Sequence, residues 1–216
     1  MFSQGGIYIM SSIRLKTRYV DEELPVGSSK LFGSPDVFEN FEWPTIEVEG
    51  EEYDLAFIGQ INLKDVAKYD TEGLLPKKGM LYFFYDLDEM PFEPSDLKAC
   101  KVIYHDSDEE LIPTEYVDEN EEDLSFREMA IDFEIVEDGF LADDEPTNLL
   151  LGVPSLDYGF DYSCIEGWQM LFQLDSMETD DICINFTDEG VLCFYIDKEK
   201  LKEQDFSDVR IMQIYS

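Results

Sequence analysis

Three short motifs occur twice along the chain in the same order, and this duplication limits the folds that the chain can adopt. The spacing from the first motif to the second is 27 and then 21 residues, and from the second to the third it is 19 and then 17 residues. Three ordered matches at similar spacing indicate two copies of one structural unit. The matched motifs are Gly33-x-Pro35 with Gly152-x-Pro154, Gln60-Ile61-Asn62 with Gln173-Leu174-Asp175, and Gly79-x-Leu81-x-Phe83-Phe84-x-Asp86 with Gly190-x-Leu192-x-Phe194-Tyr195-x-Asp197.

Each copy is predicted to be a turn fixed by glycine and proline, followed by two strands. Strands are predicted at 54–63 and 80–88 in the first copy and at 168–176 and 191–197 in the second, because these stretches are rich in apolar, β-branched and aromatic residues. A helical or turn segment that ends at Gly73, a short amphipathic helix within 198–206 and a final strand complete the pattern. The predicted fold class is α+β, with mostly antiparallel sheets and a few short helices.

The motifs also suggest a division of the chain. We predict an N-terminal segment at 1–29 and one domain at 30–216, with duplicated halves at about 30–90 and 149–216 and an acidic insert at 91–148. Two strands alone are marginally stable, so the halves are expected to form one integrated body. Within the insert, the stretch MAIDFEIVEDG (129–139) alternates apolar and acidic residues, which predicts a half-exposed strand with an anionic outer face.

The net charge of −36, from 15 basic and 51 acidic residues, restricts the possible partners. It disfavours binding to nucleic acid and to anionic membranes, which would repel the chain, and it favours a basic protein partner. The same charge would also keep an aromatic-rich protein with 16 Phe and 12 Tyr in solution, or would suit a salt-adapted proteome, and both alternatives stay open. A hydrophobic content of 44% argues against disorder.

Acidic residues of the insert are the predicted contacts for such a partner. They resemble the carboxylates of calcium loops but lack the glycine at the sixth position and the glutamate at the twelfth. No metal site and no cofactor is therefore predicted, since one His and four scattered Cys form no ligand pattern either. The predicted partner-facing acids are Asp106, Asp108, Glu109, Glu110, Asp118, Glu119, Glu121, Glu122 and Asp123.

The expected location is the cytoplasm. The start of the chain lacks a basic region followed by a continuous apolar stretch, so it does not resemble a signal peptide, and translation could begin at Met1 or at Met10. No apolar run approaches the roughly 20 residues that span a bilayer. The four cysteines form no C-x-x-C pair, and in a chain without a secretion signal they are interpreted as reduced cytosolic thiols.

The repeated motifs resemble those of the YwqG-like family of bacterial proteins, over about residues 30–216. The segments that carry the resemblance are KLFGSPDVFENFEWP, LAFIGQINL, LPKKGMLYFFYD, LLGVPSLD, LFQLDS and GVLCFYIDKEKLKEQDFSDV. The resemblance implies an internally duplicated α+β fold and a distant relation to programmed cell death protein 2, whose relatives look like chaperones of a ribosomal protein. Some bacterial members lie near toxin loci. The family offers no catalytic residues to carry over, and Ser34 stands where members often have a second glycine.

The repeated polar residues allow two interpretations. In one, each glutamine amide ties a strand to a neighbouring turn, because buried polar groups are usually satisfied internally. In the other, the repeated residues line a cleft between the halves. The cleft candidates are Gln60, Gln173, Asp86, Asp197, Gly33, Pro35, Gly152 and Pro154.

Two functional hypotheses follow. The first is a non-enzymatic, acidic, cytosolic protein-binding domain, with an immunity or chaperone-like role toward a basic partner. The second is an enzyme or small-ligand-binding protein with a cleft between the halves. No catalytic residue is predicted, because the single histidine, His105, lies in an acidic stretch and no phosphate loop or dinucleotide motif is present. Whether the protein is an enzyme, and its oligomeric state, are left open at this point.

Overall fold

The protein is built almost entirely from β-strands. The computed structural model describes residues 11–92, 99–106, 109–117, 124–137, 147–155, 166–187 and 189–214. Strands make up 47% and helices 5% of these residues, so the predicted α+β class is wrong and the fold is mostly antiparallel β. The prediction failed because the two helical segments amount to about one turn each, while much of the strand content comes from charged stretches.

Sixteen strands and two short helices are described. The strands are β1 (Ser11–Tyr19), β2 (Lys30–Leu31), β3 (Asp36–Val37), β4 (Thr45–Val48), β5 (Glu51–Asp54), β6 (Ala56–Asn62), β7 (Met80–Tyr85), β8 (Cys100–His105), β9 (Ile112–Pro113), β10 (Met129–Glu137), β11 (Leu149–Leu150), β12 (Trp168–Asp175), β13 (Met177–Glu178), β14 (Cys183–Ile184), β15 (Val191–Asp197) and β16 (Val209–Ile214). The helices are α1 (Leu63–Val66) and α2 (Lys198–Lys202). The two strands predicted in each copy are confirmed as β6 and β7 and as β12 and β15, and the helix predicted after the last repeated motif is confirmed as α2.

Ten strands form one antiparallel sheet that curls into a nearly closed barrel. Their order is β16-β15-β12-β11-β1-β10-β2-β6-β7-β8. The two edge strands meet without a strand ladder: Cys100 Sγ lies 3.5 Å from the carbonyl oxygen of Val209, and the Gln213 amide donates to the Phe92 carbonyl at 3.2 Å. These contacts bring the two edges of the sheet together at the points where they occur.

Aromatic side chains fill the barrel. Phe83 of β7 lies 4.6 Å from Phe172 of β12 and 5.6 Å from Phe194 of β15, measured between ring centres. The alternate residues of β7, such as Tyr82 and Phe84, belong to a second cluster on the outer face, covered by the segment that precedes β6. All six residues of β7 are buried because both faces are covered, which explains its continuous apolar sequence.

The strand order repeats about the centre of the sheet, as the duplicated motifs predicted. β2, β6, β7 and β8 correspond in order to β11, β12, β15 and β16. The register agrees as well, because Gln60 lies opposite Lys30 and Gln173 lies opposite Leu149. Both copies have a register shift at the same place, around the residue two positions before the glutamine.

The two halves exchange their first strands. β1 precedes the first copy but pairs with β11 of the second, while β10 precedes the second copy and pairs with β2 of the first. β1 and β10 also pair with each other over nine residues. Segment 1–29 therefore supplies one strand of the duplicated unit, β1, and segment 91–148 supplies two, β8 and β10, which no sequence motif indicated.

The exposed face of this central pair is charged. Lys16 of β1 lies 2.6 Å from Glu134 of β10, and Arg18 lies 3.5 Å from Asp132. The prediction of a half-exposed strand with an acidic outer face is confirmed for β10, and basic residues of β1 partly neutralise it. In the part of the chain described here, no helix is both long and apolar enough to cross a membrane.

The close approach of the Gly152 turn to β1 gives the first testable prediction. Gly152 has a φ of +84°, and a Cβ atom added there would overlap the hydroxyl of Ser12. Gly152→Ala should lower the free energy of unfolding by about 2–4 kcal/mol, from left-handed strain plus overpacking. Gly50→Ala is the matched control, because Gly50 has a φ of +91° but open space around it, and it should cost only about 1 kcal/mol. If urea denaturation gave the same loss of unfolding free energy for both variants, the close contact between Gly152 and β1 would not add to the cost of the substitution.

Candidate functional site

Gln60 ties its strand to the first Gly-x-Pro turn. The side chain is fully buried. Its Oε1 accepts the Asp36 backbone amide at 2.8 Å, and its Nε2 donates to the Ser28 carbonyl at 2.9 Å and to Asp36 Oδ2 at 2.7 Å. The amide of Gln60 is thus used within the fold.

Gln173 makes the same contacts in the second copy. It is also fully buried. Its Oε1 accepts the Ser155 backbone amide at 3.0 Å, and its Nε2 donates to the Thr147 carbonyl at 2.6 Å and to Ser155 Oγ at 2.7 Å. Four strands separate β6 from β12 in either direction around the barrel, so the two glutamines do not meet in one cleft.

The remaining cleft candidates also shape turns. Gly33 has a φ of +70°, and a Cβ atom there would lie 2.6 Å from that of Glu128, the residue directly before β10. Gly152 is its counterpart, and Pro35 and Pro154 directly precede the residues held by the glutamines. These residues form equivalent corners where the chain leaves β2 and β11.

The two aspartates cap the segments that follow β7 and β15. Asp86 Oδ1 accepts the amides of Asp88 and Glu89, both at 3.1 Å. Asp197 Oδ1 accepts the amide of Glu199 at 2.8 Å and that of Lys200 at 3.2 Å, which is a helix N-cap. Six of the eight cleft candidates, the two glutamines, the two aspartates and the two glycines, thus have structural hydrogen bonds or a left-handed turn conformation.

Charge distinguishes the two equivalent corners. At the first, the buried Lys30 Nζ lies 3.3 Å from Glu128 Oε2 and 3.7 Å from Asp36 Oδ2, beside a cavity of about 580 Å³. The corresponding residues of the second corner are uncharged. They are Leu149, Ser12 and Ser155. The second copy forms the same turn with uncharged residues at these three positions, so the ionic cluster of Lys30, Asp36 and Glu128 is a specific feature of the first half, which the sequence motifs did not reveal.

Part of the predicted partner-facing acidic set can be located. Asp106, Glu109 and Glu110 are exposed. Asp106 lies 2.9 Å from Lys78 Nζ, and Glu109 lies 2.9 Å from His105 Nε2. Asp108 and the acids between 118 and 123 lie outside the described residues.

An acidic hairpin, formed by β4 and β5 (45–54), projects from the first half. Its two-residue turn, Glu49 and Gly50, has φ values of +53° and +91°, the left-handed conformation that tight hairpins require. Glu47 lies directly opposite Glu52 in the ladder. Like charges in opposite positions destabilise a strand pair, so this acid pattern works against hairpin formation.

A groove of about 490 Å³ lies between the acidic hairpin and β8. Its charged lining residues are three glutamates and one lysine, and its apolar ones include a tryptophan. Trp43 is held by a 2.9 Å hydrogen bond from its Nε1 to the Leu55 carbonyl and by stacking on Tyr116 at 4.9 Å. We call this surface the acidic groove; it is lined by Glu42, Trp43, Pro44, Thr45, Ile46, Glu47, Glu52, Leu55, Cys100, Lys101 and Ile103. Sequence reasoning missed it, although the stretch EVEGEEYD carries both the turn and the acids.

The described residues offer little for metal or thiol chemistry. Among them, no group of three or more His, Cys, Asp or Glu side chains is placed to hold a metal ion. Burial raises the pKa of the Cys100 thiol to about 12 and also raises the pKa of Cys193. Neither thiol is available as a thiolate nucleophile near neutral pH.

The glutamine contacts predict a large structural effect. Gln173→Leu removes both the oxygen and the nitrogen of the side-chain amide, so the half-buried Ser155 backbone amide and Thr147 carbonyl lose their partner. The free energy of unfolding should fall by about 1–3 kcal/mol, because a buried unpaired group costs about 1–3 kcal/mol and these two groups are half-buried. Gln204→Leu, at an exposed position, is the control for the same change of side chain. A variant with unchanged stability would instead favour a functional role for Gln173.

Asp175 predicts a pH effect with a defined sign. Burial raises its pKa above the usual 3.8, although amides of Thr147 and Ser176 oppose the shift. Its contribution to stability is therefore full below the unfolded pKa and is lost as the pH rises through the folded pKa. Asp175→Asn, which installs the residue of the equivalent Asn62, should remove this loss. The difference in unfolding free energy between variant and parent should grow in favour of the variant above about pH 4; a constant difference across pH 4–7 would contradict the assignment.

The comparisons with known proteins identify a family but no activity. The family described as Domain of unknown function (DUF1963) matches residues 29–213. A comparison with curated proteins gives no significant match. The match covers most of the chain, including the acidic groove and nine of the ten strands of the large sheet. The chain therefore belongs to the DUF1963 family.

Proposed function

We propose that this protein is a non-enzymatic binding domain that takes a basic partner protein at the acidic groove. The observation that carries the proposal is the placement of Glu47 directly opposite Glu52, both of which line the groove. A hairpin selected only for stability would place opposite or neutral side chains in this pair. The repulsion is explained if a cationic surface neutralises it on binding.

The composition of the groove suits lysine and arginine side chains. Three glutamates against one lysine give the lining a net negative charge, while Trp43, Ile46 and Ile103 supply apolar contact area. Long basic side chains bury their aliphatic stems on apolar surface and keep the charged group at the edge.

The net charge of −36 would act at longer range. Complementary charge accelerates the encounter of two proteins and makes the association rate dependent on salt. The predicted partner-facing acids of the insert, including Asp106, Glu109 and Glu110, would add to the same field. Strong attraction at low salt and weaker binding at high salt are therefore expected.

The biological setting is part of the proposal. DUF1963 membership is compatible with the YwqG-like assignment, and we place the protein in the cytoplasm. Within that family resemblance, an immunity protein against a basic nuclease toxin and a chaperone of a basic protein are the two concrete forms of this function. Both require tight, charge-dependent binding and no catalytic residue.

The first experiment is a pull-down with the tagged protein from the host lysate at low and high salt, with mass spectrometry of the retained proteins. We expect one basic protein to be retained at low salt and to be weakened at high salt. A nucleic acid or an acidic protein as the specific partner would contradict the proposal.

Removal of the like-charged pair should separate function from stability. Glu47→Gln/Glu52→Gln should raise the free energy of unfolding by about 0.5 kcal/mol, because cross-strand repulsion disappears, and should weaken binding of the retained partner by about tenfold or more. Glu22→Gln/Glu203→Gln changes the net charge equally at two exposed sites away from the groove. The proposal fails at this site if both double variants weaken binding to the same extent.

A further inference from the structure

We propose that a second cavity, of about 400 Å³ at one end of the barrel, binds a small carboxylate that carries a neighbouring N–H group and an aliphatic side chain. The natural source of this chemistry is an N-acylated amino acid or the carboxyl terminus of a peptide. This site is independent of the acidic groove. We call it the end cavity; it is lined by Glu72, Gly73, Leu74, Leu75, Gln169, Lys198, Leu201, Lys202 and Gln204.

The end cavity lies between the two copies. Residues 72–75 come from the loop after α1 in the first copy, whereas Gln169 and residues 198–204 come from β12 and α2 of the second. Gln169 pairs with Ile196, whose side chain belongs to the interior cluster of the barrel. Directly paired residues point to the same face of a sheet, so Gln169 stands at the inner end of the barrel wall. Mouths of barrels are common places for ligand sites.

Gln169 offers a hydrogen-bond acceptor to the end cavity, which its side chain lines. The residue is only 5% exposed. Its Nε2 donates to the carbonyl oxygens of Gly152 at 3.0 Å and Met170 at 3.1 Å, which fixes the orientation of the amide. From the residues that the structure describes, its Oε1 accepts no hydrogen bond. An amide oxygen accepts hydrogen bonds, and an N–H group of a ligand in the end cavity would supply a donor to it.

The acceptor is not required by the fold. In the first copy the position equivalent to Gln169 is Ala56, which pairs with Tyr85 as Gln169 pairs with Ile196. The same strand pair therefore forms with a side chain that has no polar atom. As at the first corner, a polar group present in one copy and absent from the other points to a role beyond the scaffold.

The charge of the end cavity favours a single negative charge on the ligand. Two lysines and one glutamate line it, in a chain whose net charge is −36. Lys202 lies 2.6 Å from Glu199, whereas Lys198 has no ion-pair partner among the described side chains. One free ammonium group suits a carboxylate, and the surrounding negative field would oppose a dianion such as a phosphate monoester.

Apolar side chains supply the third element of recognition. Leu75 and Leu201 are almost fully buried, and Leu74 lies between Leu75 and the exposed loop. A ligand of this class would place its carboxylate at Lys198, its N–H at Gln169 Oε1 and its aliphatic side chain on the leucines. A volume of about 400 Å³ accommodates a molecule the size of an acylated amino acid, within the usual range of ligand pockets.

The test uses the full chain and ligands that differ in one group. We expect N-acetyl-leucine to bind saturably, with a Kd at or below about 1 mM by titration calorimetry. N-acetyl-leucine amide, which lacks the charge, and the O-acetyl hydroxy-acid analogue, which lacks the N–H, should each bind about tenfold more weakly. Because these comparisons change only the ligand, a folding defect cannot produce them.

A pair of matched variants locates the site. Lys198→Gln should weaken binding of N-acetyl-leucine about tenfold, whereas Lys77→Gln, at an exposed position outside the end cavity, should leave it unchanged. A leucine-terminated peptide that binds more tightly than N-acetyl-leucine would identify a peptide carboxyl terminus as the source, and equal affinity would identify the small acid.

The proposal is overturned if N-acetyl-leucine does not bind, if its amide binds equally well, or if both lysine variants lose affinity to the same degree. Glu47→Gln/Glu52→Gln should not change this affinity, so failure of the end cavity and failure of the acidic groove give separate results.

Discussion

The pairing of β1 with β10 is the interaction on which the rest of the fold depends. Each copy alone would present an exposed edge at a two-residue strand, β2 or β11, and so short a strand gives little cross-strand stabilisation. The exchange places a nine-residue antiparallel pair between these edges and joins each half to a strand from the other. Neither half has a complete sheet without the other, so the two copies form one cooperative unit.

The strands that could be recognised from the sequence are those that are buried on both faces, because their residues are apolar at nearly every position. β7 and β15 are apolar at nearly every position because they are covered on the inside by the barrel and on the outside by a second cluster. β1 could not be recognised in the same way, because its alternation places Arg14, Lys16 and Arg18 on one face of the strand. Its role follows from pairing with β10, and pairing between distant segments is not visible in the local pattern of either.

The duplicated residues explain why the predicted site and the candidate sites differ. The repetition of Gln60 and Gln173 allowed a shared cleft as one interpretation, yet both amides make equivalent bonds to equivalent turns. What both copies retain is what the shared fold requires. The informative positions are those where equivalent places differ, such as Lys30 against Leu149 and Gln169 against Ala56. Identifying them requires the register of the sheet, which the sequence motifs alone do not provide.

The charge and the closed aromatic core have to be considered together. Carboxylates at exposed positions repel one another, and the resulting self-repulsion destabilises the compact state. A barrel filled by rings such as Phe83, Phe172 and Phe194, with buried clusters on its outer faces, offsets this cost through apolar burial. Such a fold tolerates a like-charged pair in an external hairpin, because the hairpin is not part of the ten-stranded sheet. The resulting negative field repels anions over most of the surface. The end cavity differs because two lysines, Lys198 and Lys202, line it, and their positive charge opposes that field locally.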